Sequence, residues 1–498
     1  MSVALPEMSH VEDFTVAHST SPSSPASSAR SDSGSDHDAT DSFGEDDLTD
    51  THQPAGKPWQ AHSCRVDGRP KAGLTIDGTR LWTEIHHTAQ WGAIPNSTGM
   101  ARLALSDEDK LVRDYFVNEA SDLGCKVSID QMGNIFAVLP GHNNSIPPIG
   151  MGSHLDTQPA GGRYYGILGV LGALEVLRTI KASGHKTYAP LAAINWTNEH
   201  ANKTREGARF TPGCSGSAVW ASHMPLSKFH DLYDTTGTCT MEQELKRIGY
   251  RGSVQASYDA SKLSAHIELH IEQRRLLQDA KKNVGVVTAI QGIRWYRVTV
   301  VGQRAHAGAT PMAQRADALV AAAEMILFAT ARARDVSAVA TIGVLELDRP
   351  SSNTVPGRAT FTLDLRHPSE SVLNDFESAL HVRMKQLTVL NDRIQTSIER
   401  IWHSPAVQLD DEVLTCIRSA ANSVVGQDGF MDTISLAGHD SALTVLRVPT
   451  AMIFVPSKDG VSHAPEEFTS EEECRIGVQV LLETVLEYDS MLRSRHES

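Results

Sequence analysis

The chain has 498 residues, of which 40% are hydrophobic and 21% charged, with a formal net charge of −15; such a composition supports a large globular core and two or three domains. The charge is concentrated in residues 1–50, which hold eleven acidic residues and one basic residue, Arg30, so the rest is nearly balanced and shows no electrostatic footprint for nucleic acid. No apolar run approaches the ~18 residues of a membrane span, and the six cysteines, which form no C-x-x-C pair, read as free thiols of a reducing compartment.

Residues 1–70 are low in complexity. Ser19 to Ser35 is mostly Ser, Pro and Ala, and Asp36 to Asp50 is mostly acidic. This segment cannot bury enough apolar surface to offset the entropy of ordering it, so a solvated, disordered tail dispensable for folding is expected. It lacks the basic-then-apolar pattern of a signal peptide and is too acidic for a mitochondrial presequence, so the expected location is the cytoplasm.

Order is expected to begin near Leu74. Leu81, Ile85 and Ala89 recur at helical spacing, and a second helix should start at Ser106-Asp-Glu-Asp, with acidic residues in its first turn. Short strands are predicted around Lys126–Gln131 and Ile135–Leu139. An apolar run ends at His154, Gly169 to Ile180 reads as a helix, and Pro190 to Trp196 reads as a buried strand leading into Thr197-Asn-Glu. Strands alternating with helices predict an α/β sheet whose reactive groups sit at the carboxyl ends of strands.

The texture changes near residue 284. Val284–Ile290 and Trp295–Val301 look like paired strands, Ala316–Thr330 like an apolar helix, Val339–Leu345 and Ala359–Asp364 like further strands, and Glu370–Leu387 like another helix. This pattern predicts an α+β domain over 284–400, inserted between two parts of a catalytic domain, 71–283 and 401–498. The catalytic part closes with a strand at Ala451–Pro456 and a helix after Ser470.

Four places put His or carboxylate residues at strand ends. Gly152-Ser-His-Leu-Asp-Thr offers His154, with Asp156 placed to hold its other ring nitrogen. Thr197-Asn-Glu offers Glu199, followed by Glu206 before Gly-Ala-Arg-Phe. Ala265-His-Ile-Glu-Leu-His-Ile-Glu-Gln alternates like a half-buried strand and offers His270 and Gln273. Lys458-Asp-Gly-Val-Ser-His offers His463 straight after a buried strand. Two His and a carboxylate at strand ends suit zinc or a similar cation, although a polar strand face or a satisfied structural His would look the same at each place alone.

Taken together, these blocks resemble the N-carbamoyl-L-amino acid hydrolases, allantoate amidohydrolases and fungal-type β-ureidopropionases, which are carboxypeptidase- and aminoacylase-like dinuclear metallohydrolases. The similarity runs from about Leu74 to Met491. It also includes Gly302-Gln-Arg-Ala-His-Ala-Gly-Ala-Thr-Pro-Met, Thr362-Leu-Asp-Leu-Arg and Ala437-Gly-His-Asp.

The resemblance implies an α/β zinc-aminopeptidase-like catalytic domain with an inserted ferredoxin-like domain that makes a homodimer. It implies a divalent metal (Zn, Mn, Co or Ni), two per chain in the family. His154 and His270 would hold one metal, and Glu206 and His463 the other. Glu199 would be the general base and then the acid, and Asp156 would orient His154. Arg366 and Asn353 would grip a small-molecule carboxylate, His306 would stabilise the oxyanion from across the dimer, and Gln273 and Gly438 would complete the pocket. The implied reaction cleaves the C–N bond of an N-carbamoyl or N-acyl amino acid. No membrane or nucleic-acid partner is implied.

Three positions depart from the family pattern. Gly161-Gly-Arg-Tyr-Tyr-Gly has Tyr165 where the family has the Asp that bridges both metals. His200–Arg205 separates Glu199 from Glu206, which are adjacent in the family. Arg274 follows Glu272-Gln where the family has Gly. A neutral Tyr supplies no bridging charge, so one tightly held metal is expected, on His154 and His270, with His200 a candidate replacement ligand. The competing functions are a catalytically altered family member serving as a binding or scaffold protein, and an aminoacylase or dipeptidase on the same fold.

Overall fold

A computed structural model describes residues 73–200 and 209–497. The expected disordered tail, Glu206 and residues 201–205 lie outside the described residues.

In chain order the strands are β1 (Lys126–Ile129), β2 (Ile135–Leu139), β3 (Ile149–His154), β4 (Leu191–Trp196), β5 (Ala265–Ile271), β6 (Val284–Ile290), β7 (Gly292–Val301) and β8 (Ala305–His306). They continue as β9 (Val339–Thr341), β10 (Leu345–Leu347), β11 (Thr354–Val355), β12 (Arg358–His367), β13 (Gln395–Ser404), β14 (Val407–Gln408), β15 (Phe430–Ser435) and β16 (Thr450–Val455). A nine-stranded mixed sheet has the order β1-β2-β4-β3-β5-β16-β6-β14, with β15 also paired to β6. Its central strands β4, β3, β5 and β16 are parallel to their neighbours in that run. They are buried along their whole length, as a sheet covered on both faces requires. Helices Gly78–Thr88, Ile167–Ser183 and Glu471–Glu497 bury apolar residues in the same core.

The helix starts follow their sequence signals. Asp77 caps the first helix through Arg80 N, and Ser106 caps Asp107–Asp122 through Asp109 N, with three acidic residues in that first turn. A second sheet, β10-β12-β7-β13 with β9 on β12, is antiparallel. Helices Ala318–Asp335 and Glu370–Leu390 pack on it around a separate apolar core containing Tyr296, Phe361 and Phe376.

One expected pairing differs. β6 and β7 are not partners: β6 lies in the large sheet against β16 and β15, while β7 runs down the centre of the small one. The turn at Gln291 is therefore a passage between sheets rather than a hairpin. β6 is apolar on both faces and so fits an interior position, whereas β7 alternates. Among the described residues, no helix is long and apolar enough to cross a membrane, and the five cysteines form no disulfide.

Candidate metal centre and its pocket

The parallel strands set the site at their carboxyl ends. His154 is the last residue of β3, Thr197 to Glu199 leave β4, His270 lies near the end of β5, and His463 follows β16. Asn198 turns the chain here with φ +59, a left-handed conformation that Asn tolerates. Its Nδ2 donates to the carbonyls of Phe210 (3.2 Å) and Pro212 (3.3 Å), which fixes the direction of Glu199.

His154 and His270 are fully buried. His154 Nδ1 lies 2.9 Å from the Asp156 main-chain oxygen, and His270 Nδ1 lies 2.9 Å from the Ile271 oxygen. A carbonyl can only accept, so Nδ1 carries the proton in both rings and Nε2 is left with a lone pair. Both Nε2 atoms are buried without a hydrogen-bond partner. Burial lowers both imidazoles to about 3, which keeps them neutral. Two buried, unprotonated and unpartnered ring nitrogens fit a divalent cation, whose ligands have this tautomer and this kind of outer support.

Asp156 does not hold His154 through its carboxylate, the nearest oxygen of which is 3.9 Å from Nδ1. That carboxylate instead accepts from the main-chain nitrogens of Glu199 (3.3 Å) and His200 (3.4 Å) and lies 3.1 Å from His200 Nδ1. Glu199 Oε2 is 3.6 Å from His154 Nε2 and 3.7 Å from His200 Nδ1. Ligand atoms of His154, Glu199 and His200 all fall within 4.8 Å of one another. Burial, then the nearby Asp440 and Asp156, push the Glu199 carboxyl well above its ordinary range.

Tyr165 occupies the middle of this arrangement. Its ring centroid lies 4.3 Å from that of His270, 4.5 Å from His463, 5.1 Å from His200 and 5.4 Å from His154. Burial, then Glu199, raise its phenol well above 10, so it is neutral. Glu467 holds its loop by accepting from the main-chain nitrogens of Tyr164 and Tyr165, both at 3.0 Å. The next residue, Gly166, has φ +72, and a β-carbon there would stand 2.2 Å from His154 Nε2. Only Gly both adopts that angle and leaves the nitrogen clear.

A second buried group, Glu268, His270 and His439, also brings ligand atoms within 4.8 Å. Its carboxylate is already committed: Glu268 accepts from Ser153 Oγ (2.7 Å), Ser441 N (3.1 Å) and Ser441 Oγ (2.6 Å). His439 Nε2 faces Ser435 Oγ at 2.8 Å. The block Ala437-Gly-His-Asp contains His439, but neither His439 nor Glu268 was singled out by sequence, and their assembly on β5 depends on tertiary structure.

Beside the histidines lies a cavity of about 340 Å³. Gln273, Arg274, Gly438 and His463 line it, and the smaller sheet adds Trp295, Arg366 and Trp402. Arg366 is bound to Asp364 through Nε (2.9 Å) and Nη2 (2.7 Å), and Nη1 donates to the Leu436 oxygen (3.2 Å). Gln273 Nε2 is buried without a partner. Trp295 and Trp402 were not singled out by sequence. A register shift after Arg400 sets Trp402 opposite Trp295, with ring centroids 4.8 Å apart. His306 and Asn353 are exposed and do not line this cavity. They lie at the β8–β11 pair instead, where His306 is opposite Thr354 and Ala307 N donates to the Asn353 main-chain oxygen at 2.9 Å. The described residues therefore bring together His154, Glu199, His200, His270, His463, Tyr165, Gln273, Gly438 and Arg366, and leave His306 and Asn353 apart from them.

The family model "Peptidase family M20/M25/M40" matches residues 150–487. The chain is 34% identical over 425 residues to an N-carbamoyl-L-amino-acid amidohydrolase of Rhizobium meliloti, covering 84% of this chain and 98% of the relative. It is 31% identical over 402 residues to an allantoate amidohydrolase of Bacillus subtilis, covering 80% and 94%. A crystal structure of a hydantoinase/carbamoylase family amidase from Burkholderia multivorans superposes with a TM-score of 0.73 at 39% identity, covering 83% and 98%.

Proposed function

The chain belongs to peptidase family M20/M25/M40, and from that premise we propose that it is a metal-dependent amidohydrolase that cleaves the C–N bond of small N-carbamoyl amino acids and releases the free amino acid. The observation that carries this reading is the buried group of His154, Glu199 and His200, with the His154 Nε2 atom unpartnered, beside a cavity lined by a guanidinium. A bound divalent cation supplies Lewis acidity and makes water a nucleophile near neutral pH. Glu199 has one oxygen, Oε2, turned to the histidines; the other accepts a proton from the attacking water and returns it to the departing nitrogen. The amide carbon then carries the new oxygen, and a carbamoyl substrate yields ammonia, carbon dioxide and the amino acid. The names of the relatives favour a carbamoyl group over the aminoacylase and dipeptidase alternatives.

Arg366 is the substrate-carboxylate group in this reading. A planar guanidinium binds a carboxylate through two parallel hydrogen bonds, and its Asp364 partner pre-orients it at the cavity wall. Arg366→Ala is expected to raise KM while leaving kcat within a few-fold, a loss of roughly 2–5 kcal/mol if the pair is desolvated in the closed site. An unchanged KM for carboxylate substrates would return Arg366 to a strand charge. His306 and Asn353, remote from the cavity within one chain, would be supplied by the second subunit of a homodimer.

The direct test is ammonia release from N-carbamoyl-β-alanine and a panel of N-carbamoyl-L-amino acids, using metal-loaded full-length chain. Turnover of any of them supports the reading. Metal loading without turnover on the panel would favour the binding or scaffold alternative.

A further inference from the structure

His200 is the first of the six residues that separate Glu199 from Glu206, yet its surroundings are those of a metal ligand. It is 3% exposed, and its ring meets that of His154 edge-on with centroids 4.8 Å apart. Asp156 grips it at both the main-chain nitrogen and Nδ1. A carboxylate beside an imidazole orients the ring for a cation, and Glu199 Oε2 faces the same edge of this ring, 3.7 Å from Nδ1. A fully buried lone pair without a partner, His154 Nε2, is already at hand, and Glu199 brings a carboxylate oxygen within the same 4.8 Å group.

The alternative placement, on His270, is poorer. Tyr165 packs edge-on against the His270 ring with centroids 4.3 Å apart, so a neutral ring stands beside His270 where a cation would need an anion. The carboxylate grouped with His270, Glu268, already accepts three hydrogen bonds.

We propose that His200 is a ligand of the site's cation, joining His154 and Glu199 in a single-cation centre from which His270 is left out. The inference rests on the amidohydrolase reading only in requiring that a cation binds. Asp156 acquires a new task in it: it positions His200 by its carboxylate and His154 by its main-chain oxygen, so one residue orients two ligands.

The experiment uses full-length chain stripped of metal, reloaded with Zn²⁺, desalted and measured by elemental analysis, with affinity taken from a competition titration. The unmodified chain should retain one Zn²⁺. His200→Ala should weaken that binding about a hundredfold or more, since even outer partners of a ligand cost 10–100-fold. His200→Cys supplies a second readout that does not depend on how well the alanine variant folds. Loaded with Co²⁺, it should gain a thiolate-to-cobalt charge-transfer band that the unmodified chain lacks.

Unchanged Zn²⁺ affinity in a folded His200→Ala protein, or no new band in the cysteine variant, would overturn the proposal. So would two Zn²⁺ ions of equal affinity in the unmodified chain. The two readings fail separately. A chain that binds through His200 but releases no ammonia loses the amidohydrolase reading alone. A chain that hydrolyses substrate with metal binding indifferent to His200 loses this proposal alone.

Discussion

Replacing Glu199 by Gln is expected to lower kcat by about 10²–10⁴-fold at saturating metal, the range for a positioned general acid–base group. The substitution keeps the volume and one acceptor oxygen, so the buried shelf formed by Asn198 and Asp156 should survive. The lost property is the second oxygen's ability to take and return a proton. KM should change little, because Arg366, the proposed partner of the substrate carboxylate, lies on the smaller sheet. The assay must be run with excess Zn²⁺, since Glu199 Oε2 also faces His154 and His200 and an amide is a weaker ligand. Full turnover in a metal-saturated Glu199→Gln protein would show that the proton is handled elsewhere in the pocket.

Much of this centre can be read without coordinates because α/β sheets place chemistry at strand ends. His154, Glu199 and His463 each follow an apolar run, while His270 stands in an alternating one. Three features were not legible. Asp156 stands two residues from His154, a spacing that suggests a carboxylate on that imidazole. In the folded chain the main-chain oxygen does that work, and the carboxylate is drawn to the two main-chain nitrogens and the ring that follow β4. Short-range spacing cannot register a competing partner 44 positions away. The Trp295–Trp402 wall depends on a register shift after Arg400, which sequence periodicity does not locate. The assignment of β6 to the large sheet was hidden for a similar reason. Adjacent strands with a short link ordinarily pair, and only the double-sided burial of β6 indicates otherwise.

Tyr165 is the position from which the largest gain is expected. Two divalent cations ~3.5–4 Å apart repel strongly unless an anion lies between them, and a phenol held neutral by burial supplies none. Tyr165→Asp removes a ring that touches four imidazoles and puts a carboxylate in the space they share. Without metal the variant should be less stable than the parent. A buried aromatic ring is lost, which costs up to about 3–5 kcal/mol when a large aromatic is cut back to Ala. A carboxylate among neutral imidazoles is also poorly solvated. With metal the order should reverse in part: a ligand that binds only the folded chain adds about 2.7 kcal/mol at a hundred times its dissociation constant. Retained Zn²⁺ should rise from one to two per chain, with His270 recruited as a ligand. The gap in melting temperature between metal-free and metal-loaded protein should widen relative to the parent. Ammonia release should increase. Elemental analysis and paired thermal scans measure the first two independently of catalysis. A variant that keeps one Zn²⁺ and the parent's gap in melting temperature would show that the absent carboxylate is not what limits this centre.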